Sequence, residues 1–106
     1  MNDFILSKDA DKLLCTIYKE YLDRINNNMS KSEASNFELI ELLKLIPSSN
    51  KDDISNDLHE LSKNKLIKLY LYEDFCLLSN GIVYMENRFF NKIDKLVDYI
   101  DKLKPF

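Results

Sequence analysis

The chain of 106 residues contains one glycine, two prolines, two cysteines and one histidine. So few glycines and prolines argue against glycine-rich phosphate loops, collagen-like repeats and long flexible linkers. The longest wholly apolar runs span only a few residues, far short of the ~20 that a membrane-spanning helix needs. The segment Met1–Leu6 has no basic lead and no long apolar stretch, so it does not read as a signal peptide. We therefore expect a cytoplasmic protein with a single domain over residues 1–106.

The cysteines and the histidine are too sparse to predict a metal or redox site. Cys15 falls on the apolar stripe of a predicted helix and Cys76 lies within a predicted strand, which is typical of small buried hydrophobic residues. His59 has no convergent ligands, whereas a zinc site needs three or four. Since nucleophile motifs, paired catalytic carboxylates and glycine-rich loops are also lacking, the sequence predicts no cofactor, no metal and no enzymatic activity.

A surplus of positive charge is also missing. The net charge is −3 and the sequence pI is about 5.1. Residues 1–50 contain 6 basic and 8 acidic side chains, and residues 51–106 contain 9 and 10. Nucleic-acid-binding domains usually concentrate positive charge on one face, because phosphate neutralisation supplies most of their non-specific affinity. The overall charge balance therefore does not favour a nucleic-acid partner, although it does not exclude a local basic patch.

Helical spacing of apolar residues is the strongest feature that is present. It predicts a helix over residues 9–26, ended by three successive asparagines. Two capping boxes follow, Ser30 with Glu33 and Ser35 with Glu38, and the second predicts a helix that includes Phe37. Pro47 ends that helix, because the residue before a proline is pushed out of the α region.

The next segment predicts a helix followed by a hairpin. Ile54, Leu58 and Leu61 lie 4 and 3 residues apart, which favours a helix over residues 51–63 capped by Ser49 or Asn50. Strands are predicted at 66–72 and 75–79, joined by a two-residue turn at Glu73 and Asp74. The buried face of the hairpin should hold Ile67, Leu69, Leu71 and Leu77, with Lys68, Tyr70 and Tyr72 on the opposite face.

A long C-terminal helix is predicted over 80–103. Its apolar stripe is sustained for about six turns and comprises Ile82, Met85, Phe89, Ile93, Leu96, Val97, Ile100 and Leu103. The stripe either packs on the first helix of the same chain or forms the seam of a homodimer. We expect a homodimer, with Ile82, Met85, Phe89, Ile93, Leu96, Ile100 and Leu103 at its interface.

The order helix, short helix, helix, helix, hairpin, long helix resembles that of winged helix-turn-helix proteins. The apolar pattern Ile54–Leu58–Leu61–Leu66–Ile67 and the junction Leu78-Ser79-Asn80-Gly81-Ile82 are similar to those of the MarR/PadR kind and of the small YjcQ-like single-domain proteins of Gram-positive bacteria and phages. The resemblance implies a mainly α fold with a small β-hairpin (α+β), in which 51–63 is the recognition helix and the hairpin is the wing.

The resemblance implies a DNA-binding transcriptional regulator that binds double-stranded DNA. Ser55, Asn56 and His59 would then face the major groove. The residues expected on phosphates are Lys51, Lys63, Lys65 and Lys68. Two features depart from DNA-reading members, namely the carboxylates Asp52 and Asp53 on the recognition helix and the acidic Glu73-Asp74 turn of the wing. The alternative is a protein-interaction module, such as a phage or mobile-element accessory protein, that docks through Tyr70, Tyr72 and the acidic recognition helix.

Overall fold

The computed structural model describes residues 5–47, 49–89 and 93–102, with the backbone alone for residues 93, 94 and 102. Six helices and three short strands follow one another in these ranges. They are α1 (Lys8–Asn26), α2 (Lys31–Ala34), β1 (Asn36–Phe37), α3 (Leu39–Leu45), α4 (Lys51–Lys63), β2 (Ile67–Leu69), β3 (Phe75–Leu77), α5 (Ser79–Phe89) and α6 (Ile93–Lys102), with a 3-10 turn at Leu71–Glu73 between β2 and β3. The protein is thus α+β, mainly helical with a small antiparallel sheet.

Local capping signals set most of the helix starts. Ser7 caps α1 by accepting from the Ala10 amide, and Asn50 caps α4 by accepting from the amides of Asp52 and Asp53. The Ser30 and Glu33 capping box opens α2 as predicted. Each cap satisfies backbone donors that a helix cannot satisfy internally.

The second predicted capping box is wrong. Ser35 opens no helix, because Asn36 and Phe37 form β1 and pair with Cys76 and Phe75 of β3. The helix begins two residues after Phe37, at Leu39. Pairing with β3 satisfies the backbone of β1, and the Phe37 ring stacks on the Phe75 ring with centroids 5.1 Å apart.

The sheet is antiparallel, in the order β1-β3-β2. Leu77 lies opposite Ile67, and Phe75 lies opposite Leu69. The strands are shorter than the predicted 66–72 and 75–79, and the connection is the five-residue segment Tyr70–Asp74 rather than a two-residue turn. Because Leu71 lies in this connection, it does not follow the strand alternation and is 81% exposed, which corrects its predicted burial.

One hydrophobic core joins α1, α4, the sheet and the C-terminal helices. Its largest fully buried side chains are Leu13, Leu14, Ile17, Tyr18, Leu42, Ile54, Leu58, Leu61, Leu66, Ile67, Phe75 and Met85. The helix α5 approaches the chain closely at Gly81, where an added Cβ would lie 2.5 Å from the Leu66 carbonyl oxygen.

The single helix predicted over 80–103 is wrong. Phe89 and Tyr99 have ring centroids 5.8 Å apart, whereas residues ten positions apart in a continuous helix are separated by about 15 Å along its axis. α5 and α6 are therefore two separate helices, and both contact α1. The hydrogen bonds from Arg88 and Tyr99 to Asp11 of α1 hold this arrangement.

Much of the C-terminal apolar stripe is covered within the chain. Met85, Phe89 and Leu96 are buried, and Ile82 and Ile100 are partly buried against the same core. The Ile93 side chain and Leu103 lie outside the described residues. The homodimer stays a prediction, but the stripe on which it was based packs against the chain's own core.

Candidate interaction surface

The loop between β2 and β3 and the outer face of α4 form one surface. Glu73 joins them, because its carboxylate accepts a hydrogen bond from the Ser55 hydroxyl and its Oε2 lies 3.5 Å from His59 Nε2. Ser55 and His59 are four residues apart, so they lie on one face of α4. The structure thus brings together two of the residues predicted to read DNA, and the Glu73 carboxylate contacts both of them.

Asp74 anchors the other side of the loop. Its Oδ1 accepts from the backbone amide of Leu39 at 3.2 Å, at the first turn of α3, where a carboxylate also favours the helix dipole. The Tyr70 amide donates to the Asp74 carbonyl at 2.7 Å, which closes the loop at its base. The two acidic residues therefore fix the loop to two different helices.

Between these anchors the loop presents apolar side chains to solvent. Leu71 is 81% exposed, Tyr72 is 90% exposed and Tyr70 is 48% exposed. We call these three residues the tip. Scattered exposed apolar residues are ordinary on protein surfaces, but three in a row on an anchored loop make a contiguous patch typical of a binding site.

The backbone of the tip is held in an unfavourable conformation. Tyr72 has φ 59° and ψ 19°, and Glu73 has φ 64°. Two successive positive φ values at the centre of a hairpin turn correspond to a type I′ turn, whose usual residues are Asn and Gly. A bulky residue costs free energy there, so the backbone conformation at Tyr72 is unfavourable for its side chain.

The lysines predicted to contact phosphates are exposed, and they are spread over both ends of α4 and β2. Lys51 lies at the start of α4, and Lys63, Lys65 and Lys68 lie near its end and on β2. Lys68 Nζ lies 5.5 Å from the centroid of the Tyr70 ring. Asn56 is exposed on α4 as predicted.

Negative charge accompanies α4 along its length. Asp52 and Asp53 are exposed in its first turn. Burial, together with the neighbouring carboxylates of Asp9, Glu60 and Asp53, raises the pKa of Asp57 to about 6. Three carboxylates among the causes of this shift indicate that negative charge gathers around the middle of α4.

Sequence reasoning missed the roles of Glu73, Asp74 and Leu71. The acidic pair did signal a turn, but nothing local indicates that Glu73 reaches α4, 18 residues away from Ser55. Among residues 5–47, 49–89 and 93–102, no cluster of three or more His, Cys, Asp or Glu side chains is arranged to hold a metal ion. Within the same ranges, no helix is long and apolar enough to cross a bilayer.

Comparisons with protein-family models, with curated proteins and with solved structures give no match for this chain.

Proposed function

We propose that this chain is a small winged helix protein whose partner is another protein, docked through the tip and the adjoining face of α4. The order α1, β1, α3, α4, β2, β3 and the sheet order β1-β3-β2 support a winged helix, with α4 in the recognition position and the β2–β3 hairpin as the wing. Winged helices serve both as DNA readers and as protein-docking modules, so the surface chemistry decides between these functions.

The position of the Glu73 carboxylate is the observation that carries the proposal. It lies on Ser55 and His59, where a DNA reader would present hydrogen-bond donors to the major groove. A carboxylate at this position repels phosphates and occupies the Ser55 hydroxyl, whereas it does not hinder a protein partner. The exposed Leu71 and Tyr72 supply the apolar anchors that protein interfaces use.

Crosslinking at the tip tests the proposal. A photo-reactive phenylalanine analogue at position 72 should capture one stoichiometric protein in the cells from which the chain comes. The matched control carries the same analogue at Val83, which is 51% exposed on α5 and distant in sequence from the tip. In a pull-down without the analogue, Tyr72→Ala should abolish recovery of that protein, and Val83→Ala should leave it unchanged. Equal capture from both positions, or recovery of nucleic acid alone, would refute protein docking through the tip.

A DNA-binding transcriptional regulator is the second candidate, and the exposed lysines favour it. Lys63, Lys65 and Lys68 lie near the C-terminal end of α4, where they can reach phosphates flanking a groove. If α4 enters DNA, the chain should retard mixed genomic DNA at about 50 mM salt and lose affinity steeply as salt rises. Glu73→Gln should then strengthen the retardation, because it removes a negative charge from the contact face, and Asp98→Asn on α6 is the matched control. Absence of retardation by both the wild type and Glu73→Gln eliminates this candidate.

A further inference from the structure

A concavity of about 490 Å³ opens beside the tip. Its walls come from β1, the start of α3 and both ends of the β2–β3 loop. The lining residues are Asn36, Phe37, Glu38, Glu41, Tyr70, Asp74 and Phe75. Among the described residues, three carboxylates and no lysine or arginine side chain line this space, and Tyr70 connects it directly to the exposed tip.

Most of this negative charge is not neutralised within the described parts of the chain. Glu41 is paired, since its carboxylate lies 3.2 Å from Arg24 Nη2 and also accepts from the Glu38 amide. Asp74 accepts only a neutral backbone donor, from Leu39. No described cation lies within ion-pair distance of Glu38 or Asp74. A positively charged partner group would gain from both carboxylates.

The aromatic wall suits the same kind of partner. Lys68 Nζ lies 5.5 Å from the centroid of the half-exposed Tyr70 ring, a distance at which the π face attracts a cation. A cation of the partner would use the opposite face of the ring or displace Lys68. A second concavity, of about 540 Å³, shares Asn36 and Glu41 with the first. It adds Glu20, Asp23, Glu33 and Arg24. Arg24 pairs with Glu20 and Glu41, and Asp23 pairs with Lys19, so within this lining Glu33 is the carboxylate without a described ion-pair partner.

We propose that the concavity beside Tyr70 receives a lysine- or arginine-bearing segment of the protein partner, whose neighbouring apolar side chains cover Leu71 and Tyr72. This inference rests on the proposed docking function and specifies the chemistry of the partner. A second copy of this chain does not fit the role, because it would bring the same carboxylates and a net charge of −3 to the contact.

Selection of random displayed peptides on the intact protein tests the partner chemistry. Enriched peptides should place Lys or Arg next to Leu, Ile or Val, and fluorescence anisotropy should then measure their binding. Glu38→Lys should weaken that binding by more than about fivefold, because it reverses a charge in the concavity. Asp98→Lys makes the same charge change at an exposed position on α6 and should leave binding within about twofold. Tyr70→Ala should also weaken peptide binding. Thermal unfolding of each variant checks that the fold is intact.

The outcomes separate this inference from the docking function itself. Selected peptides that lack basic residues, or that bind Glu38→Lys as well as they bind the wild type, overturn the basic partner while specific crosslinking at position 72 still stands. Equal losses on Glu38→Lys and Asp98→Lys indicate general charge attraction and overturn it too, as does a selection that enriches no peptide. Failure of specific crosslinking at position 72 removes the docking function and this inference with it.

Discussion

Asp11 joins three helices through one carboxylate. Its Oδ2 lies 2.9 Å from Arg88 Nη2 of α5 and accepts from the Tyr99 hydroxyl of α6 at 2.6 Å, and the Arg88 guanidinium lies 4.4 Å from the Tyr99 ring centroid. Burial by itself would raise the pKa of Asp11. Hydrogen bonds from Arg88 and Tyr99, together with the charge of Arg88, outweigh burial and hold the pKa below its ordinary value.

Asp11→Asn should therefore lower the free energy of unfolding by about 2 kcal/mol at neutral pH, because a partly buried guanidinium loses its counter-ion. A carboxyl pKa that is lower in the folded state contributes stability above the unfolded value of about 3.9, and this contribution is lost as pH falls through the folded value. The gap between wild type and variant should thus narrow below about pH 4. Urea unfolding at several pH values measures this difference in the free energy of unfolding, with Asp98→Asn as control. A difference that does not change with pH would contradict a lowered pKa of Asp11.

The pKa of Asp57 is shifted in the opposite direction, upward. Burial and then the carboxylates of Asp9, Glu60 and Asp53 raise its pKa to about 6, so the charged form is less favourable in the folded state than in the unfolded chain. The resulting destabilisation grows as pH rises from about 4 and is complete above pH 6.

Asp57→Asn should consequently raise the free energy of unfolding at pH 7 by about 1 kcal/mol, a value reduced for the partial exposure of the side chain. The gain should disappear near pH 4, where the aspartate is protonated in both states. Urea titrations at the two pH values check this, and a loss of stability at pH 7 would show that the charge is compensated.

At the scale of elements, the β2–β3 loop exposes the Tyr72 ring at a backbone position that lowers stability. Tyr72 occupies the first central position of a type I′ turn, where Asn is favoured. Its side chain is 90% exposed, so replacing it removes little packing.

Tyr72→Asn should raise the free energy of unfolding by about 0.5–1 kcal/mol, because Asn tolerates the left-handed region. The same change should weaken partner capture through the tip. Leu71→Asn is the matched control, since it also removes an exposed apolar side chain but not from a positive-φ position. A lower stability for Tyr72→Asn than for Leu71→Asn would mean that the Tyr72 ring packs on the protein.

The packing of α5 depends on the absence of a side chain at Gly81. A Cβ there would lie 2.5 Å from the Leu66 carbonyl oxygen and 3.0 Å from Leu77 Cδ1. Alanine is favoured over glycine in a helix interior by about 1 kcal/mol, but a backbone atom of the loop before β2 cannot easily move aside.

Gly81→Ala should therefore destabilise the protein by about 1–3 kcal/mol, because the overpacking outweighs the gain in helix propensity. Asn80→Ala, on the exposed side of the same helix turn, should be close to neutral. Chemical unfolding of both variants distinguishes a steric cost from a general effect of changing α5, and stabilisation by Gly81→Ala would show that the two backbones can separate.

At the scale of the whole molecule, α5 and α6 bury much of the C-terminal apolar stripe against the core of the same chain. Met85 and Leu96 are fully buried in a chain whose Cα radius of gyration is 12.7 Å. Light scattering at micromolar concentration should accordingly give a mass near 12.6 kDa. Twice that mass would support the homodimer predicted from the stripe, formed through the surface that remains exposed.

How much the sequence predicted depends on the range of the interactions. The bounds of α4 are confirmed because Asn50 and the spacing of Ile54, Leu58 and Leu61 are signals within one helix. β1 was missed because a two-residue strand exists only through its pairing with β3, about 40 residues later. The division of the C-terminal stripe into α5 and α6 was missed because the apolar period continues from residue 82 to residue 103 without Gly or Pro.

The sequence alone determined the class of fold, the start of most helices and much of the core, because burial pattern and capping are local and periodic. Only the tertiary structure decided that Glu73 lies on Ser55 and His59 and that Asp11 holds α5 and α6 together. Both are contacts between residues far apart in the chain, made by side chains whose local sequence is compatible with many other partners. The candidate interaction surface, including the exposed Tyr72, is a product of those long-range contacts.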